Sequence, residues 1–216
     1  MTSRDEAIYR FASEDVERLQ DDKLYSGFFD LERRRLRHRL FNGSWSEPID
    51  REVHVRRDAV GVLLYDVERD AVVLVEQVRA GALDDDRSPW KLEPVAGLVE
   101  PGESAAEVAR REAQEEAGCE IRELVELHRY YPSPGACTEQ VTLFCGFVDS
   151  RGVGGVHGLE EEHEDIMVHV MSFPDAWDRL MTGQLDNAMA LIGFYWLARE
   201  RAALRAGAKA RGETLS

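Results

Sequence analysis

Residues Gly97 to Cys119 read GLVEPGESAAEVARREAQEEAGC, and the reading of this stretch decides the fold. Four of its glutamates and one of its arginines stand at fixed offsets, Glu103, Arg111, Glu112, Glu115 and Glu116, bracketed by Gly97 and Gly118. Pro101-Gly102 is a turn signal. Ser104 followed by Glu107 spells a capping box, so a helix starts there, and Gly118 is placed to end it. In that helix Glu112 and Glu116 are one turn apart, roughly 40° around the axis and about 6 Å along it. Their carboxylates therefore converge. Ala106, Ala109, Ala113 and Ala117 form a stripe of small apolar residues that lets the helix lie close against a sheet. Carboxylates this close repel unless a cation sits between them. Hard cations such as Mg²⁺ take oxygen ligands and are usually shared with substrate phosphates. Arg111 can pair with Glu115 four residues on, and Glu103 can accept from the same guanidinium. For Glu-rich helices in general, a solvated acidic face is the commoner outcome.

Working outward, the chain has 216 residues, enough for one sizeable domain or one domain with a smaller companion. Its formal net charge is −15, which argues against a nucleic-acid backbone or an anionic membrane as partner. An anionic substrate would then need local arginines and a metal to overcome the field. Three cysteines, Cys119, Cys137 and Cys145, show no CxxC spacing and suggest free thiols in a reducing compartment. The N-terminal segment is charged throughout, unlike a signal peptide, and no apolar run is long enough to span a membrane. A cytoplasmic location is the expectation.

Residues 1 to about 22 are polar and read as a short helix or loose chain. Leu24 to Phe41 reads as strand with a bend at Gly27. Asn42-Gly43 is a hairpin turn, and Arg51 to Val55 returns as strand. A small antiparallel sheet thus precedes the main domain. It is too small to bury a core of its own, so it must pack on the main domain or on a second subunit. The main domain opens with the apolar run Ala59–Tyr65 as a central strand, turns at Glu68–Asp70 and returns over Ala71–Val75. LEPVAG reads as one short strand leading into the helix. Ile121–Tyr131, Glu139–Val148 and Asp165–Phe173 read as further strands, with a turn at Ser133-Pro134-Gly135. Pro174 starts a short helix, and Asn187–Ala203 has helical apolar spacing. The expected division is residues 1–56 as the small N-terminal sheet, 57–206 as a larger α/β domain and 207–216 as a flexible tail.

Outside the central stretch, Glu160, Glu161, Glu162, His163, Glu164 and Asp165 form an acidic cluster before the strand IMVHV. Such a loop is often merely solvated, but it could bring carboxylates to the helix, and a general base is needed near a metal. Arg51, Arg56, Arg57 and Arg79 are candidates for gripping phosphate, because guanidinium matches phosphate oxygens bidentately. Each could instead balance nearby acid. Phe28 and Phe29 are neighbours in a strand, so one faces in and one out. Spacing alone favours interface packing for the outward ring over stacking on a base.

The stretch matches the Nudix box, G-x5-E-x7-R-E-U-x-E-E-x-G-U, at every fixed position, with Ala113 and Cys119 at the two apolar positions. Such a coincidence has a chance on the order of 10⁻⁷ per start point. From about residue 24 to about 200 the chain resembles the bacterial ADP-ribose pyrophosphatase branch of the Nudix family. The resemblance rests on GFFDLERRRLRHRLFNG, REV, VVLVEQVR, LEPVAGLVE, YPSPGACTE with Pro134, HGLEEEHEDIMVHV and LDNAMALIGFYWLA. It implies an α/β Nudix fold, a mixed sheet between helices, with the small N-terminal sheets exchanged in a homodimer. It implies hydrolysis of ADP-ribose to AMP and ribose 5-phosphate with Mg²⁺, or Mn²⁺ in its place, at more than one ion per site. The implied metal ligands are the Ala96 carbonyl, Glu112, Glu116 and Glu164, with Glu162 as the general base. Implied substrate contacts are Phe28, Phe29, Arg51, Glu52, Arg56, Arg79, Leu98, Glu112, Ser133, Pro134, Gly135 and Glu139, some from the partner subunit, with the aromatic pair holding adenine. Glu115 would brace Arg111. Where relatives often have a more glycine-rich, polar loop, this chain has Ala136-Cys137. Two rival readings are a pyrophosphatase of GDP-mannose or another nucleotide sugar, and a non-catalytic ADP-ribose sensor. Sensors are expected to have lost box glutamates, and this chain keeps all of them.

Overall fold

A computed structural model of the chain describes residues 10–159 and 163–210. It comprises two compact units. One is formed by residues up to Arg56 together with Ser133–Glu139, and the other by Arg57–Pro132 and Gln140 onward.

The first unit is a three-stranded antiparallel sheet in the order β1 (Val16–Ser26), β2 (Asp30–His38), β3 (Ile49–Val55). β1 corrects the expectation of helix or loose chain for this stretch. Its apolar pattern is too weak to announce a strand, and the pairing is made instead by opposite charges across the ladder. Glu17 faces Arg37, Asp21 faces Arg34 and Asp22 faces Arg33. The bend expected at Gly27 is the β1–β2 hairpin, closed by the Gly27 N–H to the Phe29 carbonyl at 3.2 Å. Phe28 and Phe29 therefore lie in a turn and not, as expected, inside a strand. Asn42-Gly43 turns the chain as its sequence signals. Asn42 Oδ1 accepts the Ser44 N–H at 2.9 Å, and Gly43 adopts φ 91°. The segment 133–139 runs beside β3, where the His54 N–H donates to the Ala136 carbonyl at 2.7 Å and the Thr138 N–H to the His54 carbonyl at 3.1 Å. No residue from 10 to 56 is buried, while Val16, Leu19, Tyr25, Phe28 and Phe41 are exposed.

The second unit is a mixed sheet with helices on both faces. Its strand path is β10 (Gly155–His157), β11 (Ile166–Ser172), β5 (Ala71–Val78), β4 (Ala59–Asp66), β9 (Val141–Phe147), β8 (Glu123–Tyr130). β4 and β9 are parallel, and the other pairings are antiparallel. β4 is central and shows a period of two. Val60, Val62 and Leu64 pack with Val108, Ala109, Ala113 and Ala117 of helix α1 (Ala105–Ala117). Leu63 and Tyr65 pack with Phe173, Ala176 and Leu180 of α2 (Phe173–Met181) and with Ala190, Phe194 and Leu197 of α3 (Ala188–Ala210). Gly61 permits close approach of α3, since a Cβ there would lie 2.6 Å from Met189 Sδ.

LEPVAG does not form one strand. Pro94 divides it into β6 (Trp90–Glu93), paired with β5, and β7 (Val95–Leu98), paired with β4. Proline has no N–H to give a ladder, so the chain changes partner at that residue. The alanine stripe of α1 is also amended. Ala109, Ala113 and Ala117 are buried, but Ala106 is exposed and Val108 takes its place in the core. β10 was not expected, being three residues in a run of glycines. α3 runs past Gly207 to Ala210. All three cysteines are free thiols, and burial pushes Cys119 up to about 11 and Cys145 up to about 12.

Candidate active site

In the second unit the site is built where α1 lies against β7. Ser104 caps the helix by accepting the Glu107 N–H at 3.3 Å, and the Glu107 carboxylate accepts the Ser104 N–H at 2.8 Å. Gly118 ends it in the left-handed conformation, at φ 61°. These two local signals fix where the helix begins and ends, and the packing of Val108, Ala109, Ala113 and Ala117 on the sheet turns Glu112 and Glu116 toward β7. Two successive residues of β7 receive them. The Ala96 N–H donates to Glu116 Oε2 at 3.0 Å. Beside it, Gly97 leaves room for Glu112, whose Oε1 lies 1.8 Å from where a Cβ would stand.

Glu116 is 3% exposed, and its other oxygen accepts from Gln77 Nε2 at 3.4 Å. Arg111 has the bracing role read from its spacing. It donates to Glu103 at 3.0 and 3.2 Å and to Glu115 at 3.0 Å, and it also reaches Glu112 at 2.8 Å. One guanidinium thus serves three carboxylates. Burial pushes the Glu112 carboxyl up to about 7 against the pull of Arg111, and the charges of Glu115 and Glu164 add to the rise. Burial pushes Glu116 up to about 8 against its bond from the Ala96 N–H, with Glu112 and Glu164 raising it further and Arg79 lowering it. Glu164 of the acidic loop therefore lies within electrostatic reach of both helix glutamates. Its Oε2 accepts the Leu159 N–H at 3.3 Å.

Buried carboxylates with more negative charge than their protein partners balance suit a divalent cation. The chemistry of the set, all oxygen donors, points to a hard ion. Among the described residues no three acidic, histidine or cysteine side chains converge tightly enough to hold an ion as they stand. Glu162 lies outside the described residues. His163 sits in an exposed turn at φ 56°. Arg79 follows β5 and donates through Nε to Glu93 Oε2 at 2.6 Å. Leu98 ends β7 opposite Ala59. Arg57 pairs with Glu100.

The first unit brings together a second set. Phe28 and Phe29 stack edge to face with centroids 4.6 Å apart, and Phe29 meets His54 in the same way at 4.9 Å. Arg56 lies over the Phe29 ring at 4.4 Å and pairs with Glu139 at 3.1 Å. Phe28 is 81% exposed, so one ring presents an open face while its neighbour is held from behind. Ser133, Pro134 and Gly135 are exposed in their turn, with the Ser133 carbonyl accepting the Cys137 N–H at 3.0 Å. Arg51 and Glu52 are exposed on β3 opposite Arg34 and Arg33, apart from the stacked rings in register. Sequence reasoning missed Gln77 and Glu93. A charged residue in the apolar run LEPVAG was the available signal for the second.

Two outcomes follow from the α1–β7 geometry. Gly97→Ala keeps an ordinary strand backbone, so thermal unfolding should change little. Its methyl displaces the Glu112 carboxylate, and divalent-cation affinity measured by calorimetry should fall at least about tenfold. The second concerns pH. An acid whose folded pKa is raised loses relative stability as pH climbs from the unfolded value near 4.5 through the folded one, because the unfolded chain ionises first. Metal-free protein in chelator should therefore lose on the order of several kcal/mol between pH 5 and 8.5. A divalent cation should restore it, and Glu116→Gln should flatten the profile. The groups held low, Glu103 and Asp149 among them, titrate below this window and leave it clear. Superimposable profiles for wild type and Glu116→Gln would contradict the buried charge.

The NUDIX domain model matches residues 55–191. An ADP-ribose pyrophosphatase of Haemophilus influenzae is 43% identical over 201 residues, covering 92% of this chain and 93% of that protein. A GDP-mannose pyrophosphatase of Enterobacter sp. (strain 638) is 35% identical over 150 residues, covering 68% of this chain and 76% of that protein. A solved structure of an ADP compounds hydrolase shares the fold, with a TM-score of 0.65 at 21% identity over 86% of this chain and 96% of that one. The matched domain carries the acidic helix, the strand it packs on and the acidic loop, and the chain belongs to the Nudix domain family.

Proposed function

We propose that the chain hydrolyses the pyrophosphate bond of ADP-ribose, giving AMP and ribose 5-phosphate, with Mg²⁺ or Mn²⁺ as the divalent ion. The observation that carries the reading is the pair Glu112, half-buried, and Glu116, buried, which when ionised carries more negative charge than Arg111 and the Ala96 N–H balance. The choice of ADP-ribose rests on the Haemophilus relative, whose likeness extends over nearly the whole of both chains. The GDP-mannose pyrophosphatase relative supports a second reading, another nucleotide sugar, over a shorter match.

The ions would be held by the Ala96 carbonyl and the carboxylates of Glu112, Glu116 and Glu164, more than one per site. When bound they neutralise pyrophosphate charge and acidify water. Arg79 would turn its free guanidinium edge to the phosphates. Glu162 would take the proton of the attacking water. Phe28 and Phe29 would hold the adenine, with Phe29 steadied by Arg56 and Arg56 by Glu139. Arg51, Glu52, Leu98 and the turn Ser133-Pro134-Gly135 would complete the contacts.

The active form would be a homodimer with exchanged N-terminal sheets. The support is the exposed apolar set Val16, Leu19, Tyr25 and Phe41, in a stretch that buries nothing. Exposed apolar side chains on a sheet that buries no residue of its own fit a face covered by a second copy.

Incubation with ADP-ribose and Mg²⁺ should release AMP, and chelator should stop it. GDP-mannose tested in parallel should turn over at least about tenfold more slowly in kcat/KM. Glu112→Gln and Glu162→Gln should each lower kcat by about a hundredfold or more with the fold intact by circular dichroism. Near-normal turnover in both variants would remove the assignment. Sedimentation equilibrium should give twice the mass of the chain, and Tyr25→Glu with Leu19→Glu should shift it toward the single chain. A wild-type monomer would refute the exchanged dimer.

A further inference from the structure

Behind Arg79 the second unit carries a chain of hydrogen bonds that the reaction itself does not use. Glu93 is the last residue of β6 and is 7% exposed. Its Oε2 accepts from Arg79 Nε at 2.6 Å, and its Oε1 accepts from Asn187 Nδ2 at 3.3 Å. Asn187 is also the N-cap of α3. Its Oδ1 accepts the Ala190 N–H at 2.8 Å, and its carbonyl accepts the Leu191 N–H at 3.1 Å. Capping uses the oxygen end of the amide, so the nitrogen end must face Glu93. The neighbouring Asp186 is tied to the same strand, at 3.0 Å from Lys91 Nζ. The start of α3 is therefore pinned to β6 at two points, and one of them fixes a buried carboxylate.

That carboxylate takes Arg79 by Nε. Among the described residues neither terminal nitrogen of Arg79 has a hydrogen-bond partner, and the side chain is 40% exposed. The guanidinium is held by its inner nitrogen with its two amino groups on the outer edge. This is the edge that matches two phosphate oxygens at once. A guanidinium fixed beforehand loses less rotamer freedom when it binds.

We propose that Glu93 and Asn187 are positioning residues that preset Arg79 for the diphosphate of the substrate, without touching the substrate themselves. The proposal rests on the ADP-ribose reading above. Glu93→Gln keeps an acceptor but removes the charge, and should raise KM for ADP-ribose about tenfold with kcat changed less than about threefold. Asn187→Ser keeps a capping oxygen for α3 but has no amide for Glu93, and should raise KM about threefold at an unchanged melting temperature. In an Arg79→Ala background both substitutions should have no further effect on KM, because they act through that arginine. A merely structural role would give the same added loss in both backgrounds and would lower kcat. If Glu93→Gln fails to fold, Asn187→Ser carries the same comparison. A wild-type protein inert toward ADP-ribose would overturn the substrate reading and this inference together. An active wild type whose Glu93 and Asn187 effects persist without Arg79 would overturn the inference alone.

Discussion

The structure depends on holding two acids, Glu112 half-buried and Glu116 buried, one helical turn apart. Desolvation of that kind is costly, and several features of the sequence exist to make it bearable. Ala109, Ala113 and Ala117 bring α1 close enough to the sheet for the Ala96 N–H to reach Glu116. Gly97 supplies the space that Glu112 occupies. Arg111 spreads one positive charge over Glu103, Glu112 and Glu115. The capping box at Ser104 and the left-handed Gly118 set the length of the helix, and its apolar face sets the rotation that brings both glutamates to β7. Replacing the pair by apolar residues would relieve the core. Their retention makes sense when a cation supplies the missing charge.

The parts of the fold that were legible in the sequence are those fixed by local chemistry. Ser104, Glu107 and Gly118 interact within a few residues of each other, and helix α1 has the limits they announce. The apolar run of β4 suits a central strand buried on both faces, and it forms one. β1 was not legible, because its pairing depends on Arg33, Arg34 and Arg37 of another strand, and a single-strand pattern contains no trace of them. Pro94 was visible, and its consequence is a general one, but the change of partner from β5 to β4 is a property of the sheet. The same division runs through the site. Glu112, Glu116 and Arg111 follow from helical spacing. Glu164 was visible as one of an acidic cluster, the family resemblance singled it out as a ligand, and its electrostatic reach to the helix belongs to tertiary structure. Gln77 and Asn187 bond to partners 39 and 94 residues away, beyond any motif.

The charge balance explains why the arginines are arranged as they are. A chain of net charge −15 repels an anionic substrate at a distance. Free arginines would be drawn to the nearest carboxylate and spend their donors there. Here the pairing is restricted. Glu139 holds Arg56, whose guanidinium plane lies over Phe29. Glu93 holds Arg79 at Nε alone. Both carboxylates are nearly buried, at 7% exposure for each residue, but they differ in grip: Glu93 takes Arg79 by one nitrogen, whereas Glu139 meets both terminal nitrogens of Arg56, at 3.1 and 3.5 Å. A buried acid placed as Glu93 is fixes the direction of a cation while occupying only one of its nitrogens. The excess acid of the chain and its need to grip phosphate are therefore compatible. The acids on the inside orient the bases, and the acids left unbalanced on α1 leave room for a metal ion.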